Sequence, residues 1–179
     1  QKTFVMYEEA LRVPLLISNP LLFPQAVTSD ALASLIDLMP TVAALSHIPV
    51  PEGWTFRGQD LTPILTDPSR KVQDTILFTY DDQRAGNEVA GDPMPQPNHI
   101  QAIIMDEWKY ARYFDPGDAS NVEYEMYNLK DDPTEVYNRA GQAGYETQEG
   151  ELLAHLDAVV AERLAPLPTP SMVNSWKEY

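Results

Sequence analysis

The apolar positions near the end of the chain predict its clearest element, an amphipathic helix over residues 146–166. Apolar residues recur there at spacings of three and four with charged residues between them, which is the period of a helix with one buried face. Because such a face must be covered, we expect it to pack on a neighbouring sheet. The residues that form this stripe are Leu153, Leu156, Val160, Leu164 and Leu167.

Three stretches before this helix predict an antiparallel sheet. Residues 74–82, "DTILFTYDD", are rich in β-branched and aromatic side chains. Residues 100–115 predict a hairpin that turns at Asp106 and Glu107, and the charged residues on its second strand indicate a sheet with one face in water. Residues 123–129, "EYEMYNL", predict a further strand that ends at the turn "KDDPTE".

The first part of the chain has a different pattern. Residues 12–20, "RVPLLISNP", form a continuous apolar run that is typical of a strand buried on both faces of a parallel or mixed sheet. Residues 26–34 fit either a strand or the lead-in to a helix, and we favour a short edge strand. A helix follows that Asp37 caps and that holds Pro40 in its first turn. A brief helical turn is expected at 61–65. The apolar face of the helix comprises Leu38, Val42, Leu45 and Ile48.

The order of these elements predicts an α/β chain that continues into an α+β part. A long polar loop, residues 81–99, separates the strand at 74–82 from the hairpin, and loops of this length in compact domains are usually functional or disordered. The strand at 12–20 has no neighbouring strand in this sequence. It therefore requires a sheet formed by residues that precede Gln1.

Charge and composition exclude several function classes. The net charge is −15, from 12 basic and 27 acidic residues, whereas a nucleic-acid surface needs clustered Lys and Arg. The chain has no cysteine, which excludes disulfides, a zinc–thiolate site and a cysteine nucleophile within it. No stretch of 18 uninterrupted apolar residues is present, so we expect no transmembrane span.

Few residues are candidates for chemistry. His155 lies in the amphipathic helix and is expected to be structural, while His47 follows a helix end, where a histidine interacts favourably with the helix dipole. His99 ends the long loop beside a strand and is a candidate for contact with a substrate. Lys2 precedes the apolar strand, so it is either an exposed lysine or a group that holds an anion in a cleft. The pair Asp81-Asp82 lacks the spacing of a metal site.

Five segments of the chain resemble, in the same order, segments of the type I sulfatases. "QKTFVMYEEALRVPLLISNP" resembles the stretch from the active-site lysine through "Y-E-E-x-x-R-V-P-L", and "IDLMPTVAALSHIPVPEG" resembles the "D-x-x-P-T" helix. "RGQDLTPIL" is similar to "G-x-S-L-x-P-L-L", with Gln59 and Asp60 where a serine is common. "IQAIIMDEWKYARYF" is similar to the "I-R-x-x-x-x-x-K-Y-I" hairpin, with Gln101 in place of the arginine. "EMYNLKDDPTEVYNRAG" is similar to "E-L-Y-D-L-x-x-D-P-x-E-x-x-N-L-A".

This resemblance implies the C-terminal part of a sulfatase with the alkaline-phosphatase-like α/β fold. Residues 1–75 would be the last portion of the catalytic α/β domain, with its large mixed sheet formed mostly upstream. Residues 76–179 would be the smaller C-terminal subdomain, a four-stranded antiparallel sheet with a packed helix. Arg12 and Glu8 would brace the junction between loop and strand, as structural residues.

The resemblance also implies a mechanism. In the family a formylglycine attacks sulfur, and a divalent cation, usually calcium, polarises the sulfate oxygens. The nucleophile motif and metal ligands would lie upstream, with no metal ligand in these residues, so the chain by itself would be inactive. Lys2 would contact the sulfate, and Arg84 and His99 would lie near the mouth of the site and influence substrate preference. The substrate would be a small sulfate ester or a sulfated carbohydrate, and the partner would be the remainder of the sulfatase chain.

Two alternatives remain open at this point. Phosphonate monoester and phosphodiester hydrolases share this superfamily and need nearly the same positive groups around an oxyanion. The chain is alternatively a non-catalytic domain that binds a partner or a glycan.

Overall fold

The computed structural model describes residues 5–81 and 99–166. They form two compact units. The first unit comprises residues 5–17, 75–81 and 99–162, and the second comprises residues 18–74 and 163–166. The N-terminal residues thus belong to the same unit as the C-terminal sheet. The expected domains, 1–75 and 76–179, remain a prediction.

The first unit is built on a four-stranded antiparallel sheet, which confirms the predicted sheet. Its strands, paired in this order, are β1 (Ile76–Asp81), β2 (His99–Ile104), β3 (Trp108–Asp115) and β4 (Asp118–Asn128). The β2–β3 hairpin closes at the expected turn, where the Met105 N–H donates to the Trp108 carbonyl oxygen at 2.9 Å. The last strand is longer than "EYEMYNL" suggested, because it pairs with β3 beyond Glu123.

Helix α4, Glu146–Arg163, covers one face of this sheet as expected. Its buried residues pack with Ile103, Tyr110 and Met126. The helix differs from the prediction in length and by a small rotation of its buried face, because Leu164 is exposed and Leu153 and Val160 lie at the border of the core. The buried stripe is Leu152, Leu156 and Val159.

The other face of the sheet is not in water at its centre, which corrects the expectation of one wet face. Met6 is fully buried there and packs with Ile100, Ala102, Ala111 and Tyr113. The short helix α1, Glu8–Leu11, follows it. Since successive side chains alternate between the faces of a strand, β3 is buried on both sides.

The second unit contains a 3-10 turn, Leu35–Asp37, helix α2, Leu38–Leu45, and helix α3, Thr62–Thr66. The predicted apolar face of α2 is wrong, since Val42 and Ile48 are exposed. Pro40 and Thr41 are buried instead. This helix buries a polar contact, described below, so the apolar stripe does not identify its inner face.

Neither of the two strands predicted before α2 forms. Residues 12–19 and 26–34 have no regular secondary structure. Leu16 is 87% exposed. A strand of a buried sheet needs hydrogen-bonding neighbours on both edges, and the described residues offer none to the segment at 12–19.

Candidate functional site

His99 is the predicted site residue that falls within the described chain, since Lys2 and Arg84 lie outside it. It opens β2 and faces Asp81, the last residue of β1, in the sheet register. Its Nδ1 lies 2.6 Å from Asp81 Oδ1, and its ring centroid is 5.4 Å from that of Phe114. A carboxylate hydrogen-bonded to one ring nitrogen fixes the orientation of an imidazole, and leaves Nε2 for other partners.

His155 has the structural setting expected of it. Its Nε2 lies 2.9 Å from the Thr75 hydroxyl, which joins α4 to the start of β1. In the described ranges, 5–81 and 99–166, no group of three or more His, Cys, Asp or Glu side chains is arranged to hold a metal ion. The helices in these ranges are too short or too polar to cross a bilayer.

The most unusual group in the first unit is Lys109 on β3, whose side chain is completely buried. Its Nζ lies 2.5 Å from Glu135 Oε1, 2.6 Å from Glu8 Oε1 and 2.8 Å from the Met6 carbonyl oxygen. An ammonium group has three hydrogens to donate, so every donor has an acceptor. We call Lys109, Glu135 and Glu8 the Lys109 anchor.

Glu135 is held in place by the turn that follows β4. Its side chain is fully buried, and its φ of 55° lies in the left-handed region, which is uncommon for a residue other than glycine. Asp132 supports this conformation, since its carboxylate accepts the N–H groups of Tyr137 at 2.8 Å and Val136 at 3.1 Å. The Tyr137 N–H, the largest cause, lowers the pKa of Asp132 from its ordinary value.

Residues 6–8 bind the sheet through both charge and backbone contacts. The Glu8 N–H donates to Glu135 Oε2 at 2.5 Å, and the Met6 N–H donates to the Tyr113 hydroxyl at 3.1 Å. The Tyr113 hydroxyl in turn donates to Glu125 Oε2 at 2.8 Å. Burial raises the pKa values of both Tyr113 and Glu125. The N-terminal segment is therefore held at two points, by Tyr113 of β3 and by Glu135 of the turn that follows β4.

The second unit has its own buried carboxylate, Asp37. Its oxygens accept the N–H groups of Ser34 and Gln59 and the side-chain amide of Gln73, each at 2.7 Å. Asp37 thus does not cap α2 with its side chain, as expected from sequence, but joins three segments. Below it, the Thr41 hydroxyl donates to the Asp37 carbonyl oxygen at 2.5 Å.

Gly58 allows a close approach next to this carboxylate. A β-carbon at this position would lie 2.1 Å from the Ile36 carbonyl oxygen and 2.7 Å from the Asp37 nitrogen. No side chain fits such a space, because the obstructing atoms belong to the backbone. This explains why the stretch "RGQDL" carries a glycine before Gln59, whose N–H reaches Asp37.

Simple sequence patterns do not single out the Lys109 anchor. A lysine among aromatic residues on a strand predicts a face in water, and "KDDPTE" predicts a solvated turn. The sequence feature that could have drawn attention to Glu8, Lys109 and Glu135 is that each lies in a segment that resembles the same family. The structure brings these three segments together at one buried point.

Comparison with known proteins decides the family. The family described as "N-sulphoglucosamine sulphohydrolase, C-terminal" matches residues 1–162. The chain belongs to this sulfatase family. It is 30% identical over 145 residues to arylsulfatase K of Xenopus laevis, a match that covers 80% of the chain and 25% of the relative. It is 28% identical over 155 residues to an N-acetylglucosamine-6-O-sulfatase of Bacteroides thetaiotaomicron, a match that covers 85% of the chain and 25% of that relative.

Solved structures share the fold of this sulfatase-family chain. A protein in complex with its substrate D-glucosamine-2-N,6-O-disulfate matches with a TM-score of 0.55 and 23% identity, over 74% of the chain and 24% of that structure. A phosphonate monoester hydrolase of Agrobacterium radiobacter matches with a TM-score of 0.53 and 19% identity, over 71% of the chain and 24% of that structure. The chain spans about a quarter of the length of the relatives it matches.

Proposed function

We propose that these residues form the C-terminal part of a sulfatase that hydrolyses sulfate esters of carbohydrates. The observation that carries the proposal is the family match from residue 1 to residue 162, together with sulfatase relatives of which the match covers 25%. Two proteins among the matches act on or bind sulfated glucosamine, by their names. They support a sulfated amino sugar as the substrate class.

In this proposal Lys2 contacts the sulfate group. A lysine is suited to this task, because its ammonium is a compact charge that stabilises negative charge on the sulfate oxygens as the ester bond breaks. His99 and Arg84 contact the rest of the substrate and influence selectivity. The pairing of His99 with Asp81 supports the role of the histidine, since it holds the ring in a fixed orientation at the end of the loop.

A formylglycine nucleophile and a divalent cation, calcium by analogy with the family, belong to this proposal as upstream components. The described residues do not fit a metal site, since they gather no cluster of suitable ligands. We therefore derive no step of the reaction through either group. The chain on its own is proposed to be inactive.

The exposed apolar side chains of the second unit support a larger protein. Leu21 is 94% exposed, Leu35 69% and Met39 67%. Burial of apolar surface is favourable, so a segment that covers these side chains would stabilise the unit. We propose that the remainder of the sulfatase chain covers these residues, and that residues 1–75 complete its catalytic domain.

The first test is the composition of the complete polypeptide that contains these residues. We expect an intact mass well above 20.1 kDa, a formylglycine in an upstream peptide of the "C/S-x-P-x-R" type, and hydrolysis of glucosamine 6-sulfate. A mass equal to that of these 179 residues, with no turnover of any sulfate ester, would contradict the proposal and favour a binding module.

A phosphonate or phosphodiester hydrolase is the second candidate, because a phosphonate monoester hydrolase shares the fold. Sulfate and phosphate monoesters differ in charge but present similar oxygens to the site. Turnover of matched 4-nitrophenyl sulfate, phosphate and phenylphosphonate esters by the complete polypeptide distinguishes the two. A phosphonate rate above the sulfate rate would favour the second candidate.

A further inference from the structure

The Lys109 anchor is buried on the sheet face that residues 6–8 cover. Buried ion pairs contribute little net stability, because desolvation of the charges offsets their attraction. An apolar contact of similar volume would hold the segment as well. A role beyond stability is therefore needed to explain why Lys109, Glu135 and Glu8 lie at this position.

What the anchor adds is a defined register. The contacts of Lys109 are compatible with one arrangement of residues 6–8, in which its ammonium group donates to the Met6 carbonyl oxygen and to the Glu8 carboxylate. A shift of the segment by one residue moves it by about 3.3 Å. Such a shift would move the Met6 amide away from the Tyr113 hydroxyl and would leave one buried N–H of Lys109 without an acceptor. A buried donor without an acceptor costs more free energy than a lost apolar contact.

We propose that the Lys109 anchor is a positioning device that fixes the register of residues 6–8 and, through them, the placement of Lys2. This inference rests on the proposed function of Lys2. Lys2 precedes Met6 by four positions, and four residues of extended chain span at most about 14 Å. Because a misplacement of about 1 Å at a catalytic group can reduce the rate about 100-fold, a fixed register at Met6 matters for catalysis.

The decisive variant is the double replacement Lys109→Met and Glu135→Leu in the complete polypeptide. It removes both fully buried charges and restores an apolar contact, so it is expected to fold with near-normal stability. Glu8 is partly exposed and can turn towards water. If the anchor sets the register, this stable variant still loses the placement of residues 6–8.

The first readout is hydrogen exchange at the Met6 amide, measured with single-residue resolution. The Glu8 amide loses its acceptor directly in the double variant and is not informative. The Met6 amide keeps its acceptor, Tyr113. We expect its exchange to accelerate at least about tenfold. Acceleration at Glu8 alone would overturn the proposal.

The second readout is a double-mutant cycle with Lys2→Ala, using 4-nitrophenyl sulfate as the probe. We expect the anchor variant to lower kcat about 10- to 100-fold, and to have little further effect when Lys2 is already alanine. Losses that multiply in the combined variant would show an independent, structural effect and would overturn the proposal.

Lys130→Met is the matched control. It removes an exposed ion pair on the same sheet unit, Lys130 Nζ to Glu107 Oε2 at 2.9 Å, and should leave kcat and Met6 exchange unchanged. If the anchor variant does not fold, Glu8→Ala replaces it, because it removes the partly exposed member of the anchor and keeps the buried Lys109–Glu135 pair. In that variant, unchanged kcat together with unchanged exchange of the Met6 amide would overturn the proposal.

The two proposals fail in different ways. If the wild-type polypeptide hydrolyses no sulfate ester, or if Lys2→Ala has no effect on turnover, the proposed function or the role of Lys2 is wrong. The exchange of the Met6 amide still decides whether the anchor sets the register.

Discussion

The two units each bury a carboxylate at the meeting point of distant segments, but they satisfy it differently. Asp37 receives three neutral N–H donors, two from the backbone and one from the Gln73 amide. Glu135 receives the ammonium of Lys109 and one backbone N–H. Neutral donors fix a local loop arrangement, whereas a buried charge of opposite sign makes the arrangement depend on a single partner.

This difference predicts unequal responses to mutation. Removal of one neutral donor leaves Asp37 with two others. Removal of Lys109 leaves the buried carboxylate of Glu135 without its counter-charge, and leaves the partly exposed carboxylate of Glu8 without its partner. The following predictions test the comparison, from the largest expected effect to the smallest.

Lys109→Met alone is expected to destabilise the first unit by about 3–5 kcal/mol, the usual cost of breaking a buried ion pair from one side. The additional replacement Glu135→Leu should recover most of this loss. Urea unfolding, with hydrogen exchange of β3 to localise the effect, measures both. Equal instability of the single and double variants would show that the charge pair is not the cause.

Gly58→Ala should destabilise the second unit by about 3 kcal/mol, towards the upper end of overpacking costs. The backbone atoms of Ile36 and Asp37 cannot move away without breaking the contacts of Asp37. Hydrogen exchange at the Gln59 amide reports the damage. Gly150→Ala, within α4, is the control, since a β-carbon there meets no atom of another segment within 4 Å and should raise stability slightly through helix propensity.

Asp37→Asn should lower the free energy of unfolding by about 1–3 kcal/mol, because the hydrogens of the new side-chain amide point at N–H groups that cannot accept them. Part of the loss is recoverable, since the Gln73 side-chain oxygen is buried without a partner among the described residues and can accept from the new amide after a flip. The variant Asp37→Asn with Gln73→Leu removes that possibility. Urea midpoints that are equal for the two variants would exclude this compensation.

Glu125→Gln is expected to have the smallest effect, which is a change in the pH dependence of stability. Burial, the largest cause, raises the pKa of Glu125 above its ordinary value of 4.5. The folded state therefore holds this proton to higher pH than the unfolded state, and the stability from Glu125 is present below pH 4.5 and lost as pH rises through the raised pKa. A glutamine side chain at this position does not titrate, so the variant should gain stability relative to the wild type as pH rises.

Urea midpoints of both proteins between about pH 4 and 7 measure this difference. Glu135, Lys109 and Glu123 also influence the charge at this position, but they are common to both proteins. A constant difference in midpoint across this pH range would mean that Glu125 does not titrate differently on folding.

The sheet, its hairpin turn and α4 were predictable because their apolar patterns are local and regular. The fold of residues 12–34 was not, because an apolar run specifies a strand only where neighbouring strands are available. The inner face of α2 was missed for another reason. It buries Thr41 and the contacts of Asp37, and apolar periodicity gives no information about a polar core.

The role of His99 stays a prediction. Its place at the start of β2 was predictable from the change from loop to strand, and its contact with Asp81 follows from the sheet register. The Lys109 anchor could not be found, since its members are 26 to 127 residues apart. Charged residues are almost never fully buried unless paired, so the usual expectation for each of them alone is exposure.

The sequence separation within the anchor also affects synthesis of the chain. Glu8 binds Glu135 across 127 residues, and at about 5–20 residues per second a ribosome needs about 6–25 s to make that length. Until then the segment that follows Lys2 has no Glu135 to bind. A nonsense mutation just before the codon for Glu135 would therefore release a chain in which residues 6–8 never acquire one of their buried partners.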